Sequence, residues 1–246
     1  KGTNYQRYTL QSKQDFKKGI FQAGTNVVLT YNQDKPLLSE IRGGYVGHTI
    51  QAIPTLEQYD ANQTGGYGAL YGDVVNLYNP LGMVDDNLMN RYSDNVKIYA
   101  NAYVSVEFMK GLKYKLNLTP DFQFYRYNSY LGLYDYGLNK NDITQVTEQQ
   151  TRTRNVLVEN LLTFDRTFGD HKISVLAGYT YQDSRYRYMQ GSGQGMPTGI
   201  KEIDAAAQGL AVSGNSSRSV LTSILGRAFY SYKNRYLLTA TIRRDG

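Results

Sequence analysis

The chain has no cysteine, no tryptophan, two histidines and five prolines among its 246 residues. No apolar run in it approaches the ~18 residues of a membrane-spanning helix. Without cysteine there is neither a disulfide framework nor a thiolate metal site. His48 and His171 form no H-x-x-x-H pair, and each sits beside Gly or Asp in a loop or turn, so no metal or other cofactor is expected. Asp85-Asp86, near Asn79 and Asn90, offer oxygens for Ca²⁺ but lack the EF-hand spacing, and a solvated loop is the plainer reading. GSGQG (191–195) lacks the Lys-Ser/Thr of a phosphate loop. The strand carboxylates Glu107, Asp121, Glu159 and Asp165 show no fixed pairing, and Ser174 and Ser223 have no triad partners. An enzyme is therefore not expected. Basic residues outnumber acidic ones, 27 to 21, for a formal charge of +6. They are scattered, with no block of five or six, so no nucleic-acid partner is expected either.

What is abundant is tyrosine and glycine, 24 of each, in a chain only 41% hydrophobic with a mean hydropathy of -0.52. That average excludes a helical membrane protein but not a barrel, whose strands turn only half their residues to lipid. The decisive stretch is NVKIYANAYVSVEFMKGLKYKLNLTPDFQFYRY, residues 95–127. Val96, Ile98, Ala100, Ala102, Val104, Val106 and Phe108 alternate with Lys97, Tyr99, Asn101, Tyr103, Ser105 and Glu107. Successive side chains of a strand point to opposite faces, so one face is apolar and the other wet. After a turn at Lys110-Gly111 the pattern resumes, with Leu112, Tyr114, Leu116, Leu118, Phe122 and Phe124 apolar. The arms exceed the ~9–11 residues that a tilted strand needs to cross a bilayer. Val104→Arg should then impair assembly by roughly 2–4 kcal/mol, and Ser105→Arg should be milder.

Further hairpins are expected at 5–31, at 152–184 and at 220–243, giving about eight strands as four hairpins. Arg152 to Phe168 carries Val156, Val158, Leu162 and Phe164 on one face, with Leu157 and Leu161 interrupting the other. Short turns near Lys17–Gly19, Lys110-Gly111, Gly169-Asp170 and Lys233-Asn234 alternate with long loops at 32–94, 130–150 and 189–217. Within the first loop GGYVGH, QTGGYGALYGD and YNPLGMVDD read as breakers, with a short helix at Pro54 to Asp60. Outer-membrane barrels place short turns on the periplasmic side and long loops outside. The fold class expected is all-β, an antiparallel transmembrane β-barrel. Tyr125, Tyr127 and Tyr130, with Tyr181, Tyr186 and Tyr188, suit an outer aromatic girdle. Lys1 opens the chain without a signal core and Arg243-Arg244-Asp245-Gly246 closes it in mid-strand, so a piece of a longer polypeptide is expected.

Three stretches resemble a known family. NPLGMVDD (79–86), followed by SDNVKIYANAYVSVEFMKGLKYKLNL, is similar to the SusC/RagA-type TonB-dependent transporters of Bacteroidetes outer membranes. ENLLTFDRTFGDHKISVLAGYTYQ (159–182) and LGRAFYSYKNRYLLTATIRRDG (225–246) resemble hairpins of the same family. The resemblance implies a barrel of about 22 strands, of which eight are about a third. It further implies an N-terminal plug, a SusD-like surface lipoprotein lid, and TonB-driven uptake of oligosaccharides or peptides. No signal peptide, plug domain or TonB box is read in these residues, so coupling to the TonB complex would run through a missing N-terminal part.

Outer-membrane lipid would cover the apolar face. On the wet face Tyr99, Tyr103, Asp121, Gln123 and Tyr125 are the candidate substrate-binding residues, since aromatic faces beside hydrogen-bonding groups suit sugars or peptides. Ordinary wall residues are the plainer alternative for them. Two other readings stand beside the importer: a complete small outer-membrane barrel with a structural or adhesive role, and a soluble secreted glycan-binding β-domain. Detergent dependence separates the barrels from the soluble domain, and the parent gene's length separates the two barrels.

Overall fold

Each alternating run is one arm of a long antiparallel hairpin in the computed structural model, which describes residues 3–36, 44–70 and 77–246. In chain order the elements are β1 (Asn4–Lys18), β2 (Phe21–Lys35), α1 (Gly44–Gln51), α2 (Pro80–Met83), β3 (Met89–Met109) and β4 (Leu112–Leu131). There follow β5 (Tyr134–Asp135), β6 (Lys140–Asn141), β7 (Gln145–Phe168), β8 (His171–Gln194), a 3₁₀ turn (Ile203–Ala205), β9 (Gln208–Tyr232) and β10 (Tyr236–Asp245). The eight long strands form one sheet in the order β1-β2-β3-β4-β7-β8-β9-β10, every neighbour antiparallel. Nearly every neighbour is next in sequence, an up-and-down meander with β1 and β10 as edges. The turns follow local chemistry: Gly111 holds φ 86°, and Lys233 and Asn234 at φ 51° and 52° close the last hairpin.

The apolar side chains of this sheet are not covered. Val104 is 50% exposed, and Val96, Phe108, Leu116, Leu118 and Phe124 are exposed with it. A sandwich would bury these residues between two layers about 10 Å apart. Among the described residues no second sheet lies on them, the remaining ladder being the two-residue β5–β6 pair. An apolar surface this large needs an apolar medium to cover it, which is what lipid supplies to a barrel.

The strands run further than the alternation does. Residues 32–35, 89–94, 130–131, 145–150, 189–194 and 208–217, expected as loops, are strand. At ~3.3 Å per residue a 24-residue strand such as β7 is roughly 80 Å long, well beyond a ~30 Å hydrocarbon core even when tilted. Its upper half, Gln145 to Arg154, has Val146 as its one apolar side chain and keeps its ladder without an apolar face, so no period marks it.

The buried apolar residues gather instead at the loop end. Met83, Leu88, Met89, Tyr134 and Tyr136 form one cluster, and Tyr130, Val146 and Met196 another. The first is pinned by Asn79, 2% exposed, whose side-chain amide donates to the carbonyls of Glu57 (3.1 Å) and Gly68 (3.0 Å) while its oxygen caps α2 through Leu81 N–H (3.0 Å). Pro80 follows where helices accept proline. Tyr134 and Tyr136 stack at 5.0 Å, and the hydroxyl of Tyr136 lies against Gly82, leaving no room for a side chain there. Tyr67 donates to Asp85 at 2.8 Å; burial first, and that bond second, push its hydroxyl up to about 12. Burial also raises Tyr134 and Tyr136. The described parts of the connection, residues 44–70 and 77–88, thus share a core with the Tyr134–Tyr136 loop.

Several local expectations change. Pro54 to Asp60 is turns rather than helix, and GGYVGH, expected as a breaker, supplies the start of α1 at Gly44. Gly43 and the Tyr71–Asp73 end of QTGGYGALYGD lie outside the described residues. Asp85 and Asp86 are engaged by Tyr67 and Lys35, and Asn79 by the loop backbone, so these oxygens serve loop assembly. The girdle also differs, because period two divides it. Tyr125 and Tyr127 share the polar side with Gln123, Tyr186 and Tyr188 do likewise, and only Tyr181 and the covered Tyr130 fall on the apolar side.

Candidate functional site

Cross-strand partners share a face, so the register states which side chains meet on the polar side. One row runs across the whole sheet: Asp15, Gly24, Tyr103, Asn117, Glu159, Thr180, Ser223 and Asp245. Hydrogen bonds join several of its members to one another and to neighbouring rows. Tyr103 donates to Asp15 at 2.6 Å and accepts from Gln22 at 3.1 Å, Lys113 donates to Gln22 at 3.3 Å, and Asn117 donates to Glu159 at 2.7 Å. The ring of Tyr103 lies across Gly24, where a Cβ would come within 2.6 Å of it. Lys115 covers the ring at 4.4 Å from the centroid. Of the five residues expected to contact substrate, Tyr103 is therefore the most engaged with its own protein.

The other four lie together higher on the β3–β4 ladder. Tyr99 pairs with Asp121, Lys97 with Gln123 and Asn95 with Tyr125. Asp121 forms an ion pair with Lys97 at 3.3 Å, and Gln123 donates to Asn95 at 3.0 Å, which donates in turn to Asn32 at 3.1 Å. Tyr103 stands four residues below Tyr99, roughly 13 Å toward the short-turn end. Tyr99 and Tyr125 make no hydrogen bond within the described residues, so both hydroxyls can serve a solute. The patch offers two tyrosine rings, an amide network and one compensated ion pair. It can hold hydroxyl- and amide-bearing solutes by hydrogen bonding and stacking.

Asn95, Asn32 and the Asp15–Gly24–Tyr103 contact do not emerge from single-strand reading, because they need the register between strands. The available signal was Gly24 itself, a lone glycine inside an alternating run, which marks a close approach. His171 opens β8, shares a 2.6 Å hydrogen bond with the Tyr230 hydroxyl and packs on Tyr232. It belongs to the aromatic rim of the short-turn end. Among the described residues no group of three or more His, Cys, Asp or Glu is placed to hold a metal.

No protein-family model matches this chain. TonB-dependent receptor P3 of Formosa agariphila is 26% identical over 261 residues, covering 99% of this chain and 25% of that protein. TonB-dependent receptor P39 of the same organism is 25% identical over 272 residues, 100% of this chain and 23% of that one. The RagAB peptide transporter superposes with a TM-score of 0.79 at 15% identity, over 99% of this chain and 28% of that chain. RagAB in its 'open-open' state gives 0.72 at 14% identity.

The chain resembles a SusC/RagA-type TonB-dependent receptor from end to end. Its fold is a stretch of that transporter's barrel wall, and it spans about a quarter of the length of the curated relatives it matches. In a wall of that kind, lipid would lie against the apolar face that carries Val104 and the barrel interior against the polar face that carries Tyr103.

Proposed function

We propose that this chain forms barrel wall and extracellular loops of an outer-membrane nutrient importer of the SusC-like class, which binds and transports rather than catalyses. The observation that carries the reading is the polar row from Asp15 to Asp245 behind an uncovered apolar face, on a fold shared with a transporter. A wall with a hydrogen-bonded interior suits passage of polar solutes, here oligosaccharides or peptides. Tyr99, Asp121, Gln123 and Tyr125 would contact the solute, with Tyr103 as a wall residue below them. A SusD-like surface lipoprotein would close the loop side, and the TonB complex would act through other parts of the full-length protein. The relatives, named as receptors and a transporter, support import over a structural or adhesive role.

The test is uptake. A strain lacking the full-length protein should lose import of one labelled class, oligosaccharide or peptide, and regain it with the wild-type protein. Import should stop when the proton gradient that drives TonB is collapsed. A strain that imports both classes as well as its parent would refute the reading.

A further inference from the structure

The apolar band of the outer face ends in arginines. It stops at Phe124 in β4, Val156 in β7, Tyr181 in β8 and Val220 in β9. Toward the long loops on the same face, Arg154, Arg185 and Arg218 stand side by side in one row of the sheet, level with Phe122 of β4 and with Asp183 between Tyr181 and Arg185. Arg152 and Arg187 face each other in the row above, and Arg126 lies one strand away. Directly opposed residues sit roughly 5 Å apart at Cβ, and like charges so placed repel.

The protein neutralises this arrangement only partly. Asp183 binds Arg185 at 3.0 Å and Arg218 at 3.1 Å, and Asp94 binds Arg126 at 2.7 Å. Glu148 lies on the same face near Arg126. Arg152, Arg154 and Arg187 have no ion pair among the described residues; Arg154 lies over the Phe122 ring at 5.7 Å. The arginines flank a furrow of about 680 Å³ floored by Phe122 and Phe124. A second furrow, of about 610 Å³, shares Arg152, Arg187 and Phe124 with it and reaches Tyr31 and Val96.

We propose that this patch binds the phosphate groups of an anionic glycolipid of the outer leaflet, with the acyl chains lying down over Val156, Val158 and Val220. The inference rests on the barrel reading, which places the long-loop end of the outer face at the outer leaflet's headgroups. Guanidinium groups bind phosphate in bidentate fashion, and three of them here have no counter-ion among the described residues. The position fits an amphiphile, since a cation and an apolar side chain are adjacent along β4, β7 and β9: Arg126 beside Phe124, Arg154 beside Val156 and Arg218 beside Val220. A soluble anion would use the arginines but gain nothing from the furrow floors.

The experiment uses the full-length protein in phosphatidylethanolamine nanodiscs doped with diphosphoryl lipid A, with bound lipid counted by native mass spectrometry. The wild type should retain lipid A in preference to phosphatidylethanolamine and to dephosphorylated lipid A, and inorganic phosphate should not displace it. The Arg152→Gln/Arg187→Gln double variant should bind it roughly tenfold more weakly or worse, with the heat-modifiable gel mobility of a folded barrel retained. Unchanged retention in that variant, equal retention of the dephosphorylated lipid, or displacement by inorganic phosphate would overturn the inference while leaving the barrel intact. A protein that stays monomeric and folded without detergent or lipid would instead overturn the barrel reading beneath it.

Discussion

Two glycines show how closely single residues are specified. Gly24 admits the Tyr103 ring, and a methyl group there would meet the Asp15 carboxylate at 2.5 Å and the ring at 2.6 Å. Gly24→Ala should cost about 1–3 kcal/mol by overpacking, read as a lower unfolding midpoint in detergent. Asn79 satisfies three backbone groups of the loop at once, so Asn79→Ala should cost at least the ~1 kcal/mol of a lost cap and raise protease sensitivity of residues 44–70 without unfolding the sheet. The Tyr67 hydroxyl gives a pH signature. Its titration is raised to about 12 from an ordinary 10.0, so its contribution is complete below pH 10 and disappears as pH rises through about 12. Tyrosinate absorbance should report this late step, and Tyr67→Phe should lower its amplitude near pH 12 by one tyrosine, with Tyr134 and Tyr136, which burial also raises, still titrating late. None of these contacts was visible in the sequence beyond the bare fact of a glycine in a strand and an Asn-Pro pair in a loop.

At the scale of the strand and hairpin, the sequence was legible where one face is continuously apolar and illegible where neither face is. The alternation from Val96 to Phe124 located β3, β4 and their turn, because a one-residue slip would turn every apolar side chain inward. Above Phe124 and Val156 that penalty vanishes, and Asn128, Glu148 and Ser192 continue the strands unannounced. The same register revises one mutational expectation. Ser105 is only 1% exposed on the polar side, its register neighbours being Gln22 and Lys115, so Ser105→Arg has no free space to enter and is not a mild control. Tyr99→Arg is the better comparison, since it places a guanidinium opposite Asp121 on the wet face. In a refolding assay in lipid vesicles Val104→Arg should lose roughly 2–4 kcal/mol, whereas Tyr99→Arg should change by less than ~1 kcal/mol.

For the whole molecule, fold class followed from period and loop placement, while the assembly of Tyr99, Asp121, Gln123 and Tyr125 followed from parity within one hairpin. Their hydrogen-bond partners on β2 were out of reach, since Asn32 and Asn95 are 63 residues apart and only the sheet joins them. A membrane-spanning wall requires two environments alternating residue by residue, and the lack of cysteine makes that directly measurable. Single cysteines introduced in turn from Val96 to Phe108 in the full-length protein, spin-labelled and reconstituted in lipid, can be probed with a lipid-soluble and a water-soluble relaxation agent. Labels at 96, 98, 104 and 106 should respond to the lipid-soluble agent, and labels at 97, 99, 101 and 103 to the water-soluble one. A profile without that two-residue period, or with the even-numbered positions shielded from both agents, would contradict the membrane-spanning wall.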